Sequence, residues 1–238
     1  MQQGQVVRVR ECRLAVGDIA WDWAARNADE IAANWQTQLA KNPAFFNGGI
    51  QILTGHSFAG GIFHGDFATT DFASFVHWRG LGYADERVRD CFGCAILRSS
   101  EGYVLLGRQA AGNLNSGRAY CPGGFIDPAD IRLDRTIDID GSVEREIHEE
   151  TGLDVSVLQR TPGYILAAAE ASIAIGIEYF SRLSAEQLRS QIMDHIERQA
   201  VPELADILIV RHGSDIRDIR TTGYVAPLIN ALFERTIA

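Results

Sequence analysis

The chain has 238 residues, 46% of them hydrophobic and 22% charged, the composition of a globular protein large enough to bury a core without disulfide staples. Its net charge of −9 argues against a broad basic nucleic-acid surface. Lys41 is the only lysine and no Gly-Lys-Ser/Thr occurs, which argues against a lysine Schiff base and excludes a P-loop.

Taken in chain order, residues 5–16 are β-rich with some alternation and predict one or two short strands. Apolar residues at helical spacing (Trp21, Ala24, Ala28, Ile31, Trp35, Leu39) predict a helix, with Asp18 as N-cap and Asn42-Pro43 as its stop. Phe45 to Gly49 reads as a turn into a strand over 50–54, followed by a Gly- and aromatic-rich stretch with a short helix within 68–78. Residues 91–97 and 103–108 predict two strands joined by the turn 99–102, and 111–118 a loop. Cys91-Phe-Gly-Cys94 has zinc-like spacing but no second pair, so it reads as strand core. Strands are expected over 154–158, 164–169, 175–180 and 204–210, and helices over 185–199 and 225–235. The longest apolar run is broken by Glu170 and too short to span a bilayer. The N-terminus lacks a secretory pattern, so no membrane association and a cytoplasmic location are the expectation. Strands and helices alternate around an early hairpin, which predicts a layered α/β (α+β) fold.

The most informative run is Arg145-Glu146-Ile147-His148-Glu149-Glu150-Thr151-Gly152-Leu153. On a helix, carboxylates at relative positions 0, 3 and 4 share one face, where like charges repel. Most acidic helix faces are only solvated. This one adjoins an apolar position, Ile147, ends on a helix-stopping glycine, and follows the tight turn Tyr120-Cys121-Pro122-Gly123-Gly124-Phe125. A glycine turn before an acidic helix suits a hard divalent cation and phosphate oxygens.

These residues resemble the Nudix hydrolases, whose signature is Gly, five residues, Glu, seven residues, then Arg-Glu-U-x-Glu-Glu-x-Gly-U with U aliphatic. The second half matches from Arg145 to Leu153 without a mismatch. The first half departs: six residues on from Gly124 stands Asp130, not Glu, and fourteen residues separate it from Arg145. Residues 131–141 read as an insertion. Asp127, Asp130, Asp138 and Asp140 are open alternatives for the role of the missing Glu.

The resemblance implies a mixed sheet between helices over 88–238, with 1–87 as an N-terminal α/β extension or small domain. It implies an enzyme, a Nudix pyrophosphohydrolase using Mg²⁺ or Mn²⁺ on a small-molecule nucleoside diphosphate derivative. Glu146, Glu149 and Glu150, with the Gly123 carbonyl, would hold metal, and Arg145 would steady the carboxylates. A further acid from outside the signature is Glu203 or Glu178, with Glu203 preferred, and Arg108 and Arg118 are candidate phosphate contacts. Trp35 and the run Asn42-Pro43-Ala44-Phe45-Phe46-Asn47-Gly48 resemble the leading segment of Nudix enzymes acting on UDP-glucose-type nucleotide sugars. ADP-ribose or dinucleotide hydrolysis, and a non-catalytic nucleotide-binding regulator, remain the alternatives. The oligomeric state is open, with a homodimer among the options.

Overall fold

The computed structural model describes residues 1–234. In chain order its strands and helices are β1 (Val6–Val9), β2 (Glu11–Val16), α1 (Asp22–Arg26), α2 (Ala28–Lys41), β3 (Gly49–Ala59), β4 (Ile62–Asp71), α3 (Phe72–Gly80), β5 (Asp90–Arg98), β6 (Val104–Gln109), β7 (Ala119–Tyr120), β8 (Gly123–Gly124), α4 (Ile139–Thr151), β9 (Gln159–Arg160), β10 (Tyr164–Ala169), β11 (Ser172–Phe180), α5 (Ala185–Arg198), β12 (Leu204–Val210) and α6 (Val225–Phe233). This is the expected mixed α+β architecture. Among the described residues no helix is long and apolar enough to cross a membrane.

The chain divides into two compact units. One contains residues 1–10, 92–124 and 140–238. Its nine-stranded sheet has the path β1-β10-β11-β5-β6-β12, with β7, β8 and β9 pairing from its margins. Ile96, Leu105, Leu106 and Ile177 share one core with Val143 and Ile147 of α4, Leu188 and Ile192 of α5, and Leu228 of α6. Each such side chain removed from water contributes about 1.5–3 kcal/mol. The other unit contains residues 11–91 and 125–139. Its three-stranded sheet, β2-β4-β3, is mixed: β2 runs parallel to β4 and β3 antiparallel to it. The inserted segment joins this sheet, since Ile126 accepts from Gln51 and Ile137 donates to Leu14.

Several local expectations are corrected. The helix over 21–39 is two helices broken at Asn27, and its N-cap is Trp21, not Asp18, which pairs instead with Arg135. The Gly-rich stretch hides β4, whose glycine and histidine positions mask its alternation. The strand expected over 154–158 is a single 3-10 turn, Val155–Val157, because Asp154 caps the Ser156 N–H and bends the backbone. The closing helix is described through Phe233, and Arg235 of the expected range lies outside the described residues.

Candidate active site

Helix α4 forms because Ile139, Val143 and Ile147 recur every four residues and are all but fully buried. Its stop is fixed twice. Gly152 has φ +67°, and a Cβ there would lie 2.4 Å from the His195 ring. Helix α5 then supplies donors to an orphan carbonyl of the last turn: Gln199 donates to the Glu149 oxygen at 2.9 Å, with the His195 ring 3.1 Å from it. The turn that carries Glu149 and Glu150 is therefore anchored from outside the helix.

Two of the three acids on this face are buried, and Glu149 is exposed. Glu146 is 8% and Glu150 3% exposed. Glu150 accepts from the Tyr120 hydroxyl at 2.5 Å and from the Gly123 N–H at 3.0 Å, which ties α4 to the glycine turn. At Gly124 a Cβ would fall 2.6 Å from a Glu146 carboxylate oxygen, so any larger residue would push that carboxylate from its place. Tyr224 braces the turn from below, accepting from the Cys121 N–H and donating to its carbonyl. Cys91 and Cys94 are buried free thiols within β5, as their strand-core reading requires.

Glu203 joins the same cluster from a distant part of the sequence. It precedes β12, where the pairing with β6 slips between Leu204 and Asp206, a bulge of the kind that re-aims a neighbouring side chain. Gln109 Nε2 donates to Glu203 at 3.1 Å, while Gln109 Oε1 accepts from the Asn115 N–H at 2.5 Å. One amide thus holds both the acid and the loop over 110–118.

Burial dominates the electrostatics. It pushes Glu146 up to about 7, opposed by Arg145 and reinforced by Glu149 and Glu203. Glu150 is raised well above the carboxylate range by burial and the Glu203 charge, against the hydrogen bonds from Tyr120 and Gly123. Glu203 is raised by burial, with Gln109 opposing. Among the described residues the one cation paired with this face is Arg145, whose Nη1 lies 2.7 Å from Glu146 and 3.2 Å from Glu149.

The remaining sequence candidates lie elsewhere or face other partners. Glu178 sits between Arg8 and Arg98 at 3.1 and 3.0 Å, so it is a structural ion-pair residue. Asp127 and Asp130 cap each other's turn, Asp138 pairs with Arg132, and Asp140 pairs with Arg160 and Tyr164. Arg118 donates to the Thr221 carbonyl. Arg108 has no side-chain partner among the described residues, and neither arginine contacts the carboxylates there. His148 is exposed. Sequence reasoning missed Tyr120 and Gln109, and only the apolar context of each strand end hinted that their polar groups would need partners.

The donor set fits a hard cation. All four acids offer oxygen, a charged nitrogen already bridges two of them, and the glycine turn leaves space at Glu146. As placed, however, no three His, Cys, Asp or Glu side chains among the described residues converge on one point suited to a metal ion.

No family model and no curated protein matches this chain. Among solved structures it is similar to the MutT protein from Methanosarcina mazei Go1, with 16% identity over 63% of this chain and 96% of that one, and a TM-score of 0.44. It is also similar to RenU, a Nudix hydrolase from M. smegmatis (16% identity, 62% and 86% coverage, TM-score 0.38). A third is a C. elegans Ap4A hydrolase (15% identity, 62% and 96% coverage, TM-score 0.40).

Proposed function

We propose that this chain is a Nudix-type pyrophosphohydrolase that cleaves a nucleoside diphosphate joined to a second group. The observation that carries the reading is the cluster of Glu146, Glu149, Glu150 and Glu203 around a glycine turn. Its buried members are held against ionisation by burial and mutual repulsion, which outweigh Arg145 and the hydrogen bonds from Tyr120, Gly123 and Gln109. Unpaired buried charge is costly and persists where a site uses it.

In this reading Glu146, Glu149 and Glu150 hold Mg²⁺ or Mn²⁺, with the Gly123 carbonyl as a further oxygen. Glu150 contributes the lone pairs that Tyr120 and Gly123 leave open. A cation held there would supply charge neutralisation for phosphoryl oxygens and a lowered pKa for water. The chain's own groups do the rest. Glu203, raised towards neutrality and aimed by Gln109, takes the proton of the attacking water. Arg145 restrains Glu146 and Glu149 in a fork suited to carboxylates. Arg108, whose guanidinium has no partner among the described residues, and Arg118 bind phosphate.

The substrate we favour is a nucleotide sugar of the UDP-glucose type, giving a nucleoside monophosphate and a sugar phosphate. Support is the likeness of Trp35 and residues 42–48 to the leading segment of such enzymes. A regulator that binds nucleotide without turnover is the competing reading. It is favoured by the commitment of Asp127, Asp130, Asp138 and Asp140 to partners of their own. The test is mononucleotide release from UDP-sugars, ADP-ribose, NADH and diadenosine polyphosphates with Mg²⁺ or Mn²⁺, using Glu149→Gln as control. Metal-dependent release of UMP supports the full reading. Release of AMP alone removes the UDP-sugar assignment, and no turnover of any member leaves the regulator.

A further inference from the structure

A second concavity, lined by Trp35 and Asn47 but by none of the clustered acids, lies in the unit built on β2, β3 and β4. It is a groove of about 590 Å³ between α1–α2 and the β4–α3 junction. That volume is inside the roughly 300–1,000 Å³ of small-molecule sites. One wall is apolar and made of small residues, Ala28 and Ala32, beside Trp35. The Trp35 ring is held in place by Phe45, stacked at 6.3 Å, and by Phe72, edge-on at 6.0 Å.

The facing wall is polar and incompletely satisfied. Asn47 spends its Oδ1 on the Ala73 N–H at 2.7 Å, and its amide NH₂ has no partner among the described residues. Asp71 spends Oδ1 on the Ser74 N–H, which leaves Oδ2 as an acceptor. Ser74 is only 6% exposed, borders the groove, and its hydroxyl makes no hydrogen bond among the described residues.

Charge narrows the ligand. Among the described residues no Arg, Lys or His lines the groove, and its one ionic group is the Asp71 carboxylate. The N–H groups that open α3 are already taken by Gly48, Asn47 and Asp71, so no anion site exists at that helix end. A phosphate is therefore disfavoured. A donor from Asn47 beside an acceptor from Asp71 complements an amide edge, in which a ring N–H adjoins a carbonyl. An aromatic wall complements a flat ring.

We propose that this groove binds the base of an unphosphorylated nucleoside, its face on Trp35 and its amide edge between Asn47 and Asp71. The site shares no residue with the carboxylate cluster proposed to carry hydrolysis. The experiment is calorimetric titration of the full chain with uridine, guanosine and their 5′-monophosphates in EDTA, so that no cation is available to the carboxylate cluster. At least one nucleoside binds saturably, and its 5′-monophosphate binds about tenfold or more weakly. Two variants keep the fold. Ala32→Gln puts a good helix former on an exposed position and fills the groove. Asn47→Asp keeps the acceptor for Ala73 and replaces the free donor with an acceptor. Each weakens nucleoside binding about tenfold or more with an unchanged melting temperature. Absence of binding by both nucleosides, equal or tighter binding of the monophosphate, or undiminished affinity in Ala32→Gln overturns the assignment.

Discussion

Two buried acidic sites in this chain are held in opposite electrostatic states. In the smaller unit, Asp85 is 6% exposed and surrounded by donors. Arg87 reaches it through Nε at 2.8 Å and Nη2 at 2.7 Å, and Trp21 Nε1 donates at 3.1 Å. The Arg87 hydrogen bonds outweigh burial and hold Asp85 at about 2. In the larger unit, Glu146 receives one arginine and two neighbouring acids, Glu149 and Glu203, and burial wins. The first arrangement fastens the start of α1 to the loop that follows α3. The second leaves Glu146 beside other acids at a cost in stability, and that cost is the ground for proposing a site there.

Neutralising one carboxylate at each site separates the two states most sharply. Glu146→Gln lowers turnover of the substrate found in the panel by about 10²–10³-fold, equivalent to roughly 3–4 kcal/mol. The same change leaves the metal-free chain as stable as the parent or more so, read by urea denaturation in EDTA. Asp85→Asn does the reverse: it costs about 2 kcal/mol of stability by weakening hydrogen bonds to a charged acceptor, and leaves kcat unaltered. Loss of stability in Glu146→Gln, or its gain in Asp85→Asn, breaks the contrast.

Tyr120→Phe has a smaller effect. It removes the hydroxyl that meets Glu150 and lowers kcat by about tenfold, the scale expected of a group that orients a ligand without touching substrate. KM is unchanged if the role is orientation, and a rise in KM alone contradicts it.

The smallest effect is in the pH dependence of stability without metal. Glu146 has its folded pKa raised, so its contribution is greatest below the ordinary carboxylate value and is lost as pH rises towards about 7. Asp85 has its folded pKa lowered, so its contribution is present above about pH 4 and lost towards 2. Denaturant midpoints in EDTA therefore peak between about pH 4 and 5. A maximum above pH 7 contradicts the assignment of a strained cluster.

Legibility followed locality. Helix α4 was readable to its end because its apolar stripe, acids and stop glycine lie within fifteen residues. The hairpin β5–β6 was readable for the same reason, its turn residues lying between two apolar runs. β4 was not, because Gly65 and His64 break its pattern, and Gly65 is needed where a Cβ would strike Leu14. At the site, the carboxylates of α4 were evident from spacing. Their burial was not, since it depends on Tyr120 and Gly124, some thirty residues away, and on Gln109 with Glu203, which are ninety-four apart. The course of residues 125–139 along the β2–β4 sheet was equally invisible, because pairing with Leu14 and Gln51 carries no local signature.

The central claim is that the Glu146 cluster is a divalent-cation site. Ligand carboxylates must lose their protons to bind metal, so binding to a group poised at about 7 releases protons. Mn²⁺ titration by calorimetry in buffers of different ionisation enthalpy, at about pH 6 and about pH 8.5, measures that release. The account predicts saturable binding with release of about one proton at the lower pH and markedly less at the higher, both abolished in Glu146→Gln. Mn²⁺ binding that is absent, or that persists with equal proton release in Glu146→Gln, contradicts it.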